Sequence, residues 1–188
     1  MVYIMSGPSG AGKTTLAKRV RKYRPSMHFP VSCTTRPMRN GECNGVDYHF
    51  WTEELFERQV RSGQFAESAM IHGYRYGTLK IDLDLALTPG REQDIFLEID
   101  IQGMRRIKSR FPEVVTIFVL PPSFDALEAR LRDRDRGETE EEMVIRLATA
   151  REESACAGEF DYHIENRDLS VALRAVIGIM DGKRAAAS

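Results

Sequence analysis

A chain of 188 residues can bury the core of a single domain. Its composition, 42% hydrophobic and 29% charged, is that of an ordinary soluble globular protein. A net charge of -1 speaks against a general nucleic-acid binder or a membrane-surface protein, and no apolar run is long enough to span a bilayer.

The chain opens on Val2-Tyr3-Ile4-Met5, a short apolar run that predicts a buried strand. A strand that begins at once leaves no room for a signal peptide. Cys33, Cys43 and Cys156 form no C-x-x-C pair, and an odd number of cysteines fits a reducing compartment, so the expected location is cytoplasmic. Next comes Gly7-Pro8-Ser9-Gly10-Ala11-Gly12-Lys13-Thr14, the phosphate-binding loop pattern G-x-x-x-x-G-K-[ST]. Glycine permits turns that aim backbone N–H groups at a polyphosphate. Lys13 brings an ammonium to the transferable phosphates, and the Thr14 hydroxyl offers Mg²⁺ a ligand. The following residues, Thr15 to Lys22, predict a helix with Leu16 and Val20 on one face; its N-terminus attracts phosphate. Gly7 through Thr15 are therefore the expected ATP-binding residues.

Pro25 and Pro30 mark a connector, and Phe29 to Arg36 reads as extended. Residues 37–48 are rich in turn formers and predict an ordered loop. Thr52 is placed to cap a helix over Glu53 to Val60, with Phe56 and Val60 on its packing face and Gly63 at its end. Phe65 to Thr78 predicts short strands around turns at Gly73 and Gly77. A helix over Ile81 to Leu87 stops at Pro89-Gly90, and Ile95 to Asp100 predicts a buried strand ending in acids. A helix from Gly103 to Ser109, a core strand from Val114 to Leu120 and a helix near Asp125 to Arg132 follow. Thr139 with Glu142 is a capping-box pattern that opens a long helix carrying Met143, Leu147 and Ala150. Tyr162 to Asn166 predicts a last strand and Val171 to Met180 an amphipathic helix, with Ala185 to Ser188 fraying. Strands alternating with helices predict an α/β fold: a central parallel sheet flanked by helices, of the P-loop NTPase kind.

The phosphate loop names a nucleotide without naming the acceptor. Residues 32–78 resemble the acceptor-binding segment of guanylate kinases. Thr34-Thr35-Arg36 with Arg39 is similar to that family's T-T-R-x-x-R, and Gly41-Glu42, Gly45 and Asp47-Tyr48-His49-Phe50 to its G-E-x-x-G-x-D-Y-x-F. Gly63-x-Phe65-x-Glu67, His72-Gly73-x-x-Tyr76-Gly77-Thr78 and Asp100-x-Gln102-Gly103 continue the match in family order. The resemblance implies ATP-dependent phosphorylation of GMP to GDP with release of ADP, in line and with Mg²⁺, as a step of purine nucleotide metabolism. It leaves open whether dGMP is used as well. It also implies one domain in three parts: a core of about residues 1–31, 80–121 and 148–188, a GMP-binding insert of about 32–79, and a helical lid of about 122–147.

Chemistry at these positions agrees with the resemblance. A monophosphate needs convergent donors, which Arg36, Arg39, Tyr48 and Tyr76 supply. The guanine N1–H and exocyclic amine match the Glu67 carboxylate, and the hydroxyls of Ser32 and Thr78 can donate to O6. The resemblance adds Asp100, near either the acceptor base or a metal-linked water, and Asn166 near the donor adenine. Arg146 and one of Arg134 and Arg136 would lay charge over the transferring phosphoryl. The expected catalytic set is thus Lys13, Arg36, Arg39, Arg136 and Arg146. Two departures stand out: Glu98 lies where the family usually has aspartate, and Pro37 falls one place early between the two arginines. A non-catalytic interaction module of the same fold and a kinase for another monophosphate are the rival readings. The intact phosphate loop favours an enzyme, and Ser32 with Glu67 favours guanine. ATP and GMP are the expected partners, and the expected assembly is a monomer or weak homo-oligomer.

Overall fold

The computed structural model describes residues 1–71, 73–87, 93–133 and 139–187. In chain order its elements begin β1 (Val2–Ser6), α1 (Lys13–Tyr23), β2 (Cys33–Thr34), β3 (His49–Phe50), α2 (Glu53–Arg61), β4 (Phe65–Ile71), β5 (Tyr74–Leu79) and α3 (Lys80–Leu87). They continue with β6 (Ile95–Glu98), α4 (Ile101–Arg110), β7 (Val115–Leu120), α5 (Phe124–Arg132), α6 (Glu140–Ala155), β8 (Tyr162–Glu165) and α7 (Leu169–Ala187). The chain divides into two compact units: residues 1–2 with 26–114, and residues 3–25 with 115–188. Among the described residues no helix is long and apolar enough to cross a membrane.

The unit of residues 3–25 and 115–188 is built on parallel strands. Tyr3 pairs with Val115 and Ser6 with Phe118 along β1 and β7, and Ile117 pairs with Tyr162 along β7 and β8. Val115 to Val119 are all buried. Such a continuous β-branched and aromatic run belongs to a parallel strand covered on both faces. Within this unit the strand order is β1-β7-β8. Helices supply the cover. Leu16, Ala17 and Val20 form the buried face of α1, and the Tyr3 hydroxyl donates to the Met180 carbonyl of α7 at 3.3 Å. Leu127 and Leu131 of α5 pack with Met143 and Ala150 of α6, with Leu147 at the margin. The capping box at the start of α6 is complete: Thr139 N–H donates to Glu142 Oε2 at 2.8 Å, and Glu142 N–H donates to Thr139 Oγ1 at 3.2 Å. α7 continues to Ala187, past the point where the sequence predicted fraying, so the alanine-rich end stays helical.

The unit of residues 1–2 and 26–114 carries a second sheet of order β3-β2-β5-β4. Thr52 caps α2 by accepting from Leu55 N–H at 3.2 Å. Phe56 stacks on Phe65 with ring centroids 4.5 Å apart, and Trp51 meets both edges of that pair. Val60, expected on the same face, is 39% exposed: it lies in the last turn of α2, which ends at Arg61, whereas the rings of Trp51 and Phe65 gather on Phe56. Gly73 turns β4 into β5 with φ 79. Gly77 is not a turn. It lies within β5, where a Cβ would stand 2.7 Å from the Phe65 ring, so glycine is needed there for packing. A β-bulge between Phe65 and Glu67 shifts the register and sets Glu67 directly across from Thr78.

Candidate active site

The phosphate loop runs from β1 into α1, as its mechanism needs. Gly7, Gly10 and Gly12 all have positive φ, at 146, 88 and 90. At Gly7 a Cβ would overlap the Val119 carbonyl, and at Gly12 it would overlap Asn166 Nδ2. Gly12 precedes α1 in the left-handed region and supplies no side-chain cap. Lys13 Nζ is folded onto its own loop, donating to the Gly7 carbonyl and to the Pro8 carbonyl at 3.0 Å. Ala11 is fully buried, while Thr14 and Thr15 face outward from the first turn of α1.

Distant side chains reach this loop. Asn166 is buried at the end of β8 and donates from Nδ2 to the Ala11 carbonyl at 2.8 Å. Its own carbonyl accepts from Arg130 Nη2 at 3.0 Å. Asn166 thus braces the loop, a task that its place in the sequence did not suggest. Arg146, only 7% exposed, donates from Nη2 to Ser9 Oγ at 3.1 Å. Arg134 and Arg136 lie outside the described residues, as does His72.

In the other unit the acceptor candidates gather in two groups. The first centres on Arg36, which is 5% exposed. Its Nε donates to the Tyr76 hydroxyl at 3.2 Å, and its guanidinium lies over the rings of Tyr48 and Phe50. Tyr48 meets Tyr76 edge to face, with centroids 5.9 Å apart. Arg36 Nη1 donates to Glu42 Oε2 at 3.0 Å and to the Pro37 carbonyl at 2.7 Å, and Nη2 donates to Glu42 Oε1 at 2.8 Å. Burial alone would lower the Arg36 pKa; the bonds to Glu42 and Tyr76 outweigh it and raise it. For Glu42, burial pulls upward, but Arg36 and the Arg39 N–H hold the carboxyl below its ordinary range. The Arg39 side chain is exposed, and only its backbone N–H joins the group, donating to Glu42 Oε2 at 2.8 Å. Glu42 was missed as a site residue, although the G-E element of the sequence pattern contained it.

The second group centres on Glu67, which is 6% exposed. Glu67 and Thr78 are cross-strand partners, and Tyr76 lies two residues from Thr78 on the same sheet face. Thr78 Oγ1 is buried without a hydrogen-bond partner among the described residues. Asp100 caps α4, its Oδ1 accepting from Gly103 N–H at 2.8 Å. Gly103 makes room for the carboxylate, since a Cβ there would lie 2.6 Å from Glu67 Oε2 and 3.0 Å from Asp100 Oδ1. Ser32 is half-buried and its carbonyl accepts from His49 N–H at 2.9 Å; among the described residues no hydrogen bond ties its side chain to either group.

Burial raises the Glu67 pKa from 4.5 to about 7, with the Asp100 charge adding to the rise and Thr78 and Arg106 opposing it. The Thr78 hydroxyl thus acts on the carboxyl by proximity, without closing a hydrogen bond of ordinary length. The sign of the stability effect follows. The folded state takes up this proton more readily than the unfolded chain, so the contribution is present below the ordinary carboxylate range and is lost as pH rises through about 7. Denaturant unfolding should therefore show wild type losing on the order of 3 kcal/mol more than Glu67→Gln between pH 5 and pH 8. Parallel slopes for the two proteins would mean that Glu67 is ionised throughout.

A glycine loop feeding a helix N-terminus on a parallel sheet, with a lysine at its end, defines a P-loop nucleotide-binding α/β protein. Comparison with known proteins narrows the class. The family model "Guanylate kinase" matches residues 1–183, and the chain belongs to that family. It is 46% identical to guanylate kinase of Syntrophotalea carbinolica over 173 residues, covering 92% of this chain and 81% of that one. It is 41% identical to guanylate kinase of Carboxydothermus hydrogenoformans over 185 residues, covering 98% and 89%. The crystal structure of guanylate kinase from Anaplasma phagocytophilum superposes with a TM-score of 0.81 at 29% identity, covering 97% of this chain and 85% of that one.

Proposed function

We propose that this protein transfers the γ-phosphoryl group of ATP to GMP, giving ADP and GDP. The observation that carries the reading is the pairing of a buried carboxylate, Glu67, with the buried hydroxyl of Thr78 in a chain that also holds an intact phosphate loop. One offers acceptors to guanine N1–H and the exocyclic amine; the other offers a donor to O6. Ser32 is assigned a second donor to O6, and Asp100, already engaged as a helix cap, a place beside the acceptor.

In this reading Gly7 through Thr15 receive the ATP phosphates on backbone N–H groups. Lys13 leaves the Gly7 and Pro8 carbonyls for a phosphate oxygen, a charge-assisted bond in place of neutral ones. Arg36, with Tyr48 and Tyr76, takes the GMP phosphate by exchanging the Glu42 carboxylate for it, and Arg39 adds a further cation. Arg146 and Arg136 neutralise charge on the transferring phosphoryl, and Asn166 serves the ATP side through the loop it braces. Thr14 presents a neutral hydroxyl oxygen at the exposed first turn of α1, the hard-donor type that Mg²⁺ takes together with phosphates and water. When bound, Mg²⁺ supplies neutralisation of the polyphosphate charge. The GMP-binding insert is assigned to residues 32–79, the lid to 122–147 and the core to the rest. A cytoplasmic monomer or weak homo-oligomer without nucleic-acid or membrane partners completes the proposal.

A coupled assay of ADP formation with ATP, Mg²⁺ and each nucleoside monophosphate tests it. Turnover is expected with GMP and far less with AMP, CMP or UMP. Comparable turnover with AMP, or none with GMP, would overturn the assignment.

A further inference from the structure

Ser9 of the phosphate loop is held twice by one helix. Its N–H donates to Glu153 Oε2 at 3.2 Å, and its hydroxyl accepts from Arg146 Nη2 at 3.1 Å. Both partners sit on α6, two turns apart, so they share one helix face and are separated by about 10 Å along the axis. The apolar packing of α6 does not need Glu153, because Met143 and Ala150 provide it against Leu127 and Leu131. A carboxylate so near a loop built to attract anions works against phosphate binding in simple charge terms. It does, however, fix the loop's Ser9 to the same helix face that presents Arg146.

We propose that Glu153 is a positioning residue for phosphoryl transfer: by holding the Ser9 N–H it sets α6 on the phosphate loop and so aims the Arg146 guanidinium. The proposal rests on the reading of Arg146 as a charge that acts on the transferring phosphoryl. A guanidinium that is nearly buried and tied to Ser9 Oγ has little freedom to correct an error in the placement of its helix. Misplacement of this kind costs rate more than substrate affinity.

The test is steady-state kinetics on Glu153→Ala, Glu153→Gln, Arg146→Ala and the double variant Glu153→Ala/Arg146→Ala, with thermal unfolding recorded for each. Glu153→Ala should lower kcat about tenfold or more while leaving KM for GMP within about twofold. Glu153→Gln keeps an oxygen that accepts from Ser9 N–H and should recover kcat to within about threefold of wild type. The double variant should be no slower than Arg146→Ala alone, since Glu153 acts through Arg146. Multiplicative losses in the double variant, or normal kcat in Glu153→Ala, would overturn the proposal. Normal kcat in Arg146→Ala would remove the reading of Arg146 itself and the proposal with it, whereas a slow Arg146→Ala beside a normal Glu153→Ala sinks only the positioning role. Should Glu153→Ala fail to fold, Glu153→Asp carries the test: it keeps the charge and shortens the reach by one methylene, and an undiminished kcat in that folded variant would count against positioning.

Discussion

Glu67→Gln is expected to collapse the preference for GMP over AMP, lowering the ratio of kcat/KM values by about 10³-fold, the scale on which a site built to hydrogen-bond one substrate rejects another. Once ionised, above about pH 7, the wild-type carboxylate has acceptors only, and in the proposed mechanism guanine presents two donors to it. At pH 8, where the carboxyl is ionised, AMP would set it against the N1 acceptor and leave it unpaired in a nearly dry position, which costs several kcal/mol, so the ratio is measured there. The carboxamide turns one acceptor into a donor, so it loses guanine contacts and gains adenine ones. The buried Thr78 hydroxyl can donate to O6, but it can also accept from an amine, so the choice rests on Glu67. Ser32→Ala should cost less, roughly tenfold or below, because one neutral hydrogen bond is lost. The measurement is kcat/KM for both nucleotides in wild type and the two variants, with Lys13-dependent ATP binding followed separately. An unchanged ratio in Glu67→Gln would mean that guanine is read elsewhere.

Lys13→Met should lower kcat by about 10²-fold or more, as expected for removing one electrostatic stabiliser of the transition state. Methionine keeps most of the chain length and loses the charge. The loop should keep its shape, because that shape rests on the positive-φ glycines and on Asn166 bonded to the Ala11 carbonyl. Losing the Nζ bonds to the Gly7 and Pro8 carbonyls costs at most about 1–3 kcal/mol of stability, since these groups are only partly buried. Turnover measured beside the unfolding midpoint separates the two effects. Near-normal turnover in a folded Lys13→Met protein would take the phosphate loop out of the mechanism.

Local patterns made much of this fold readable. The apolar runs Val2–Met5 and Val114–Leu120 became the buried parallel strands Val2–Ser6 and Val115–Leu120, and Thr139 with Glu142 closed the capping box their spacing announced. The phosphate loop was legible because its function constrains consecutive residues. What escaped was long-range. Asn166 meets Ala11 across 155 positions, and Glu153 meets Ser9 across 144. No local spacing encodes such contacts; they appear only when parallel strands bring the ends of β1 and β8 to the same edge. Gly77 shows the converse error. Glycine is a good turn marker, but here the ring of Phe65 needs the space, and the strand continues through it.

The bond between Arg36 and Glu42 makes the acceptor half an ion exchanger in the proposed mechanism, not an open cation. The guanidinium is already neutralised by a carboxylate and roofed by two aromatic rings. A stray chloride or free phosphate gains little from a charge that is already matched, because it must first displace a partner tethered six residues away. A nucleotide arrives with a second anchor, its base, and can hold its place while the exchange proceeds. Discrimination against the cell's common anions then comes from competition inside the protein, and added salt should disturb it less than it would a bare surface arginine.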